Sequence, residues 1–212
     1  MLFLQKQKLV FLSVPKTAST SVQHALLPYS NTAFTAPPSL KHMGYSAFLR
    51  DVAPVLQRDH GLARLDYIIV AVMREPLSWV HSWYRYRSRD ALKDQNEPNR
   101  HNYSGHVSFS EFARAYCAAE PPPYATIGNQ LNMLLGSGGQ IGVDLIFPYE
   151  HLENLAEFLS NQVGATITLP KLNESPSGKF TLEPETEALL RQKLRPAIAL
   201  HDRLRPDGRL TI

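Results

Sequence analysis

Cysteine is nearly absent: Cys117 stands alone among 212 residues, so no intramolecular disulfide can form and no cysteine framework braces the fold. It lies in the apolar-periodic run 112–119, where a small buried hydrophobe is expected, and it is given no role. Long apolar runs are missing too. The stretch 9–14 is too short for a secretory h-region and follows Lys6 and Lys8, and no run approaches the roughly 18 residues of a membrane span. A cytoplasmic protein without a membrane span is the expectation. Nor is charge of one sign in excess. With 22 Lys+Arg against 19 Asp+Glu, the net of +3 is too small to point to a nucleic-acid partner. Metal-site patterns such as HExxH, CxxC or clustered acids are lacking, and no metal is expected.

What is present is a chain that is 43% hydrophobic, enough for one sizeable core, and a single domain spanning 1–212 is expected. Residues 9–14 (Leu-Val-Phe-Leu-Ser-Val) and 67–73 (Tyr-Ile-Ile-Val-Ala-Val-Met) are nearly continuous apolar runs rich in branched and aromatic residues, as for strands buried on both faces. A third strand is expected at 143–147. Helical spacing follows each: from Val22, over 76–88 behind Pro76, and over 152–163 up to Gly164. Further helices are expected at 45–56, at 109–119 behind a capping box of Ser108 and Glu111, at 130–135, and from Pro184 on. Residues 31–40 and 89–107 read as loops. Alternating strands and helices give an α/β fold of three layers, α/β/α, with a mostly parallel central sheet. Such sheets bind ligands beyond the carboxyl ends of their strands.

Two candidate anion sites fall at those ends. The first is Pro15-Lys16-Thr17-Ala18-Ser19-Thr20-Ser21, between strand and helix. Backbone N–H groups opening a helix converge with the positive end of its dipole, Lys16 adds a charge, and Thr17, Ser19, Thr20 and Ser21 add hydroxyls. The competing reading is that such Ser/Thr-rich stretches merely cap helices, but capping explains neither the lysine nor so many hydroxyls. No glycine occurs before Gly44, so this is not a Walker A loop. The second is Arg74, ending the strand 67–73, with Ser82 eight residues on along the next helix. Arginine clamps phosphate bidentately, and Ser82 can donate to the same group; the competing reading is an arginine paired with Glu75 or solvent.

Val-Pro-Lys-Thr-Ala-Ser-Thr-Ser at 14–21 resembles the 5′-phosphosulfate loop of PAPS-dependent sulfotransferases, above all the carbohydrate sulfotransferases and their bacterial relatives. Arg74-Glu75-Pro76 with Ser82-Trp83-Tyr84 resembles their 3′-phosphate motif, with seven residues between arginine and serine. Phe147-Pro148-Tyr149-Glu150 and residues 169–175 (Leu-Pro-Lys-Leu-Asn-Glu-Ser) resemble two weaker family segments. The chain departs from the family in carrying Glu75 where asparagine is common and Trp79 where a further arginine is common.

The resemblance implies a fold like that of the P-loop-containing nucleoside triphosphate hydrolases and transfer of a sulfuryl group from 3′-phosphoadenosine 5′-phosphosulfate (PAPS), without a metal. It implies Lys16 on the donor's bridging oxygen, a backbone N–H from Ala18, and 3′-phosphate contacts from Arg74 and Ser82. It also points to His42, in a Lys-His segment after the proline-rich loop, as the base for an acceptor hydroxyl; histidine titrates in the right range. A surface loop histidine is the alternative, and His81, His106, Glu150 and Asp66 are weaker candidates. The aromatic residues Trp79, Trp83, Tyr84 and Tyr86 are read as core. The acceptor stays open among carbohydrate, lipid headgroup, small alcohol and amine, as does the oligomeric state. Two competing functions remain. A small-molecule kinase would need a magnesium-binding acid and a glycine-rich loop, neither of which is in place. A noncatalytic module would bind PAPS or a partner without turnover.

Overall fold

The computed structural model describes residues 1–94, 96–170 and 181–211. Two compact units are distinguished: Met1–Arg74 with Asn129–Leu172 and His201–Ile212, and Glu75–Gly128 with Asn173–Leu200.

The first unit is built on a five-stranded sheet of order β3-β1-β2-β4-β5, formed by β1 (Leu2–Leu4), β2 (Leu9–Leu12), β3 (Thr32–Ala33), β4 (Ile68–Met73) and β5 (Leu145–Pro148). The expected strands at 9–14, 67–73 and 143–147 are present and parallel, with Leu12 opposite Ala71 and Met73 opposite Pro148. The expectation of a mostly parallel sheet is corrected. β1 runs antiparallel to β2, β3 runs antiparallel to β1, and the sheet is mixed. A tight hairpin is the reason: Lys8 N–H donates to Gln5 O at 3.0 Å with Lys8 at φ 49°, so Lys6 and Lys8 sit in a turn that folds Leu2–Leu4 back onto Leu9–Leu12.

Both faces of the sheet are covered. Leu2, Leu4, Leu9, Phe11, Val70, Val72 and Phe147 share one cluster with Val22 and Leu26 of α1 (Ser19–Leu26) and with Leu155 and Leu159 of the helix Leu152–Val163. Burying a leucine such as Leu155 contributes about 1.5–3 kcal/mol relative to leaving it in water. On the other face, Phe3 meets the His60 ring at 5.9 Å and Phe48 meets Tyr67 edge-on at 6.0 Å. In chain order the remaining helices of this unit are α2 (Pro38–Lys41), α3 (Tyr45–Asp51) and α4 (Ala53–His60), with Leu152–Val163 as α7. The single helix expected over 45–56 breaks at Val52 because Pro54, in the first turn of α4, has no N–H to continue the ladder. The expected helix at 130–135 is a short 3₁₀ turn, Leu131–Met133. α7 ends, as expected, on Gly164 at φ 71°, a left-handed cap.

The second unit packs α5 (Pro76–Arg87), α6 (Phe109–Cys117) and α8 (Pro184–His201, all but its last residue) around Leu77, Trp79, Val80, Phe112, Tyr116, Leu190 and Leu194. The Ser108–Glu111 capping box forms: Glu111 N–H donates to Ser108 Oγ at 3.2 Å and Ser108 N–H to Glu111 Oε2 at 2.7 Å. The core also holds a charged side chain. Arg87, 8% exposed, donates to Pro123 O and Thr126 O at 2.8 Å each and lies over the Trp83 ring, and burial lowers its pKa to about 10. Among the described residues no helix is long and apolar enough to cross a membrane.

Candidate active site

The turn after β2 has an uncommon backbone. Lys16 and Ala18 adopt φ values of 66° and 58°, in the left-handed region usually left to glycine, and Thr17 lies between them. Left-handed residues alternating with right-handed ones are how backbones build concavities of convergent N–H groups, and this turn opens directly into α1 with Ala18 as its N-cap. The turn that a glycine-rich loop would adopt without strain is held here by side chains. Thr17 is buried and its Oγ1 donates to Val14 O at 2.8 Å, so that hydroxyl shapes the loop instead of facing outward. Gln23, a buried residue one turn into α1, donates to Ser13 Oγ at 2.9 Å and to Phe34 O at 3.3 Å. Ser19 and Ser21 are buried and Thr20 is exposed.

The segment bearing α2 reaches this loop from 29 residues away. Phe34 N–H donates to Met1 O at 2.9 Å, anchoring its start on β1. At its end the His42 ring Nδ1 bonds Ser13 O at 2.6 Å, and Lys41 Nζ donates to Thr20 Oγ1 at 3.2 Å. A carbonyl can only accept, so Nδ1 carries the proton and a neutral His42 keeps its lone pair on Nε2. Burial lowers the His42 pKa; the Ser13 bond opposes the shift, and the positive charges of Lys41, the Met1 amino group and Lys16 reinforce it. The imidazole is thus fixed through Nδ1 beside the lysine-bearing loop, with its pKa below the ordinary histidine value.

Arg74 leaves β4 one residue past Met73, and parallel register sets Tyr149 beside it, one residue past Pro148. The guanidinium carbon stands 4.4 Å from the centre of the Tyr149 ring. The arginine's backbone is gripped by Gln130: Arg74 N–H donates to Gln130 Oε1 at 3.1 Å, and Gln130 Nε2 donates to Arg74 O at 2.7 Å. The carboxyl ends of the neighbouring parallel strands β2, β4 and β5 thus present the loop, Arg74 and Tyr149 in turn, where such sheets place their ligands.

Residues 1–201 match the model of the sulfotransferase family. The chain belongs to the sulfotransferase family. No curated protein and no solved structure matches it. As a sulfotransferase it is a transferase of sulfuryl groups.

Of the residues singled out in sequence, Lys16, Thr17, Ala18, Ser19, Thr20, Ser21 and His42 come together in this sulfotransferase at the end of β2, with Arg74 at the end of the adjacent strand. Ser82 lies half-buried on α5 in the second unit. Glu75 caps that helix, accepting from Leu77 N–H at 3.1 Å and Ser78 N–H at 2.6 Å, which gives the departure from the family's asparagine a structural role. The weaker candidates each have contacts of their own. His81 packs on Phe109 at 4.7 Å, His106 on Tyr124 at 5.2 Å, Asp66 accepts from Ala63 N–H at the opposite end of β4, and Glu150 faces His201 at 3.2 Å. Residues 171–175 of the segment resembling an Asn-x-Ser motif lie outside the described residues. Sequence reasoning missed Ser13, Gln23 and Gln130 as parts of the site, and gave Lys41 and Tyr149 no role in it. Among the described residues no group of three or more His, Cys, Asp or Glu is placed to hold a metal ion.

Proposed function

We propose that this sulfotransferase moves a sulfuryl group from PAPS to a hydroxyl or amine of a small-molecule, carbohydrate or lipid-headgroup acceptor, releasing 3′-phosphoadenosine 5′-phosphate. The family membership supports sulfuryl transfer, and the resemblance of residues 14–21 and of Arg74 with Ser82 to the donor motifs supports PAPS. The match runs through both units, which supports reading 1–212 as one domain of the three-layer, P-loop-like kind.

The observation that carries the reading is the His42–Ser13 bond, which fixes the imidazole through Nδ1 at the root of the loop and leaves Nε2 for the acceptor. In the reaction, the acceptor oxygen attacks sulfur and its proton passes to His42 Nε2. The bond between sulfur and the bridging oxygen breaks, and its electron pair leaves with the 5′-phosphate. Lys16 and the N–H groups of the loop stabilise that oxygen as it gains charge, so the protein's contribution is positioning and charge stabilisation. Arg74 takes the 3′-phosphate, and Ser82 enters the assignment on motif spacing alone.

Calorimetric titration in EDTA with adenosine 3′,5′-bisphosphate, adenosine 5′-phosphate and ATP tests the donor. Binding that requires the 3′-phosphate and weakens in Arg74→Ala is expected. No binding, or a preference for ATP once magnesium is restored, overturns the proposal.

A further inference from the structure

The ladder between β4 and β5 ends at Met73 and Pro148, so Arg74 lies just beyond the reach of strand pairing. Its backbone is nevertheless satisfied as though the strand went on. The Gln130 side chain, 1% exposed, offers one acceptor and one donor, the two functions a peptide group offers, and bonds both to Arg74: Oε1 takes the N–H at 3.1 Å and Nε2 gives to the carbonyl at 2.7 Å. A side-chain amide here does the work of one more residue of a neighbouring strand. It comes from 56 positions along the chain, at the start of the 3₁₀ turn Leu131–Met133, which Asn129 Oδ1 fixes by accepting from Leu131 N–H at 2.9 Å.

A long, rotamer-rich side chain clamps an anion well only when its root is fixed, because freedom at Cα is magnified at the guanidinium. β4 holds Arg74 from below, and the Tyr149 ring lies 4.4 Å from the guanidinium carbon. Gln130 supplies the third constraint, on the backbone between them. We infer that Gln130 is a positioning residue for the anion clamp, acting through Arg74 without touching the ligand, so that it governs the protein's preference for a donor nucleotide bearing a 3′-phosphate. The inference rests on the assignment of Arg74 to that phosphate.

The test compares the affinity for adenosine 3′,5′-bisphosphate with that for adenosine 5′-phosphate in the full chain, Arg74→Ala, Gln130→Leu and the double variant. Gln130→Leu should lower the preference about ten-fold, the scale of one charge-assisted hydrogen bond, while adenosine 5′-phosphate binds as before. In the Arg74→Ala background it should cause no further loss, as expected for residues that act as a unit. Should Gln130→Leu fail to fold, Gln130→Glu keeps the volume and the acceptor but not the donor, and is read in the same way. Equal weakening of both nucleotides, or losses that add in the double variant, would show a merely structural role and overturn the inference. A wild-type preference that Arg74→Ala abolishes and Gln130→Leu retains overturns the inference alone. A wild type without preference overturns the donor assignment and this inference with it.

Discussion

Ala18 offers a test of the loop in which the sign of the effect decides. At φ 58° and ψ 18° it carries a Cβ in the left-handed region, a cost of about 1–2 kcal/mol for an L-residue. Ala18→Gly removes that cost, while the greater backbone freedom of glycine in the unfolded chain takes back roughly 0.5–1 kcal/mol. The expected net is a stabilisation of about 0.5 kcal/mol. Were residue 18 instead in the right-handed conformation inside α1, the reverse would hold, a loss of about 1 kcal/mol on placing glycine there. Ala18→Val sharpens the contrast, since a β-branched residue is a true outlier at this φ and should cost a further ~1–3 kcal/mol. For a chain of this length each kcal/mol moves Tm by roughly 2–4 °C. Urea denaturation of the three proteins at 25 °C should therefore rank them Gly, Ala, Val from most to least stable. The glycine variant should also bind adenosine 3′,5′-bisphosphate unimpaired, because the proposed donor site uses only the N–H of residue 18. A glycine variant less stable by about 1 kcal/mol, with valine no worse, would refute the left-handed turn.

Thr17→Val removes the buried bond to Val14 O at 2.8 Å and should cost about 1 kcal/mol in urea denaturation, with weaker donor binding, whereas Thr17→Ser should retain both. The lowered pKa of His42 means that the acid limb of kcat/KM should lie below the ordinary histidine value of about 6.5. Removing the neighbouring charge in Lys41→Met should move that limb upward, and an unmoved limb would sink the assignment. The same shift acts on stability: as pH falls below about 6.5 the unfolded chain takes up the proton before the folded one does, so this group erodes stability from there down to its lower folded pKa. Arg87→Leu strands the carbonyls of Pro123 and Thr126 and should destabilise by about 2 kcal/mol, seen as a lowered Tm.

The parts of the fold that were legible in sequence are those with a local signature. β2, β4 and β5 are continuous apolar runs, and the capping box of Ser108 and Glu111 and the glycine stop at Gly164 are local devices. β1 and β3, of three and two residues, are too short to carry a period and exist by pairing with partners elsewhere, which is why the sheet read as mostly parallel. The break between α3 and α4 was written in Pro54 but hidden by apolar spacing that runs through it. The loop and Arg74 could be found as contiguous motifs. The contacts of His42 with Ser13 and of Gln130 with Arg74, across 29 and 56 positions, are tertiary and leave no mark on local pattern.

Incubation with sulfur-labelled PAPS in EDTA, across a panel of sugar, lipid-headgroup, alcohol and amine acceptors, tests the account most directly. The wild type should transfer label to an acceptor. Lys16→Ala and His42→Ala should lose that transfer, His42→Ala while still binding adenosine 3′,5′-bisphosphate. A wild type that binds PAPS yet transfers label to none of them, or a His42→Ala variant as active as the wild type, would contradict it.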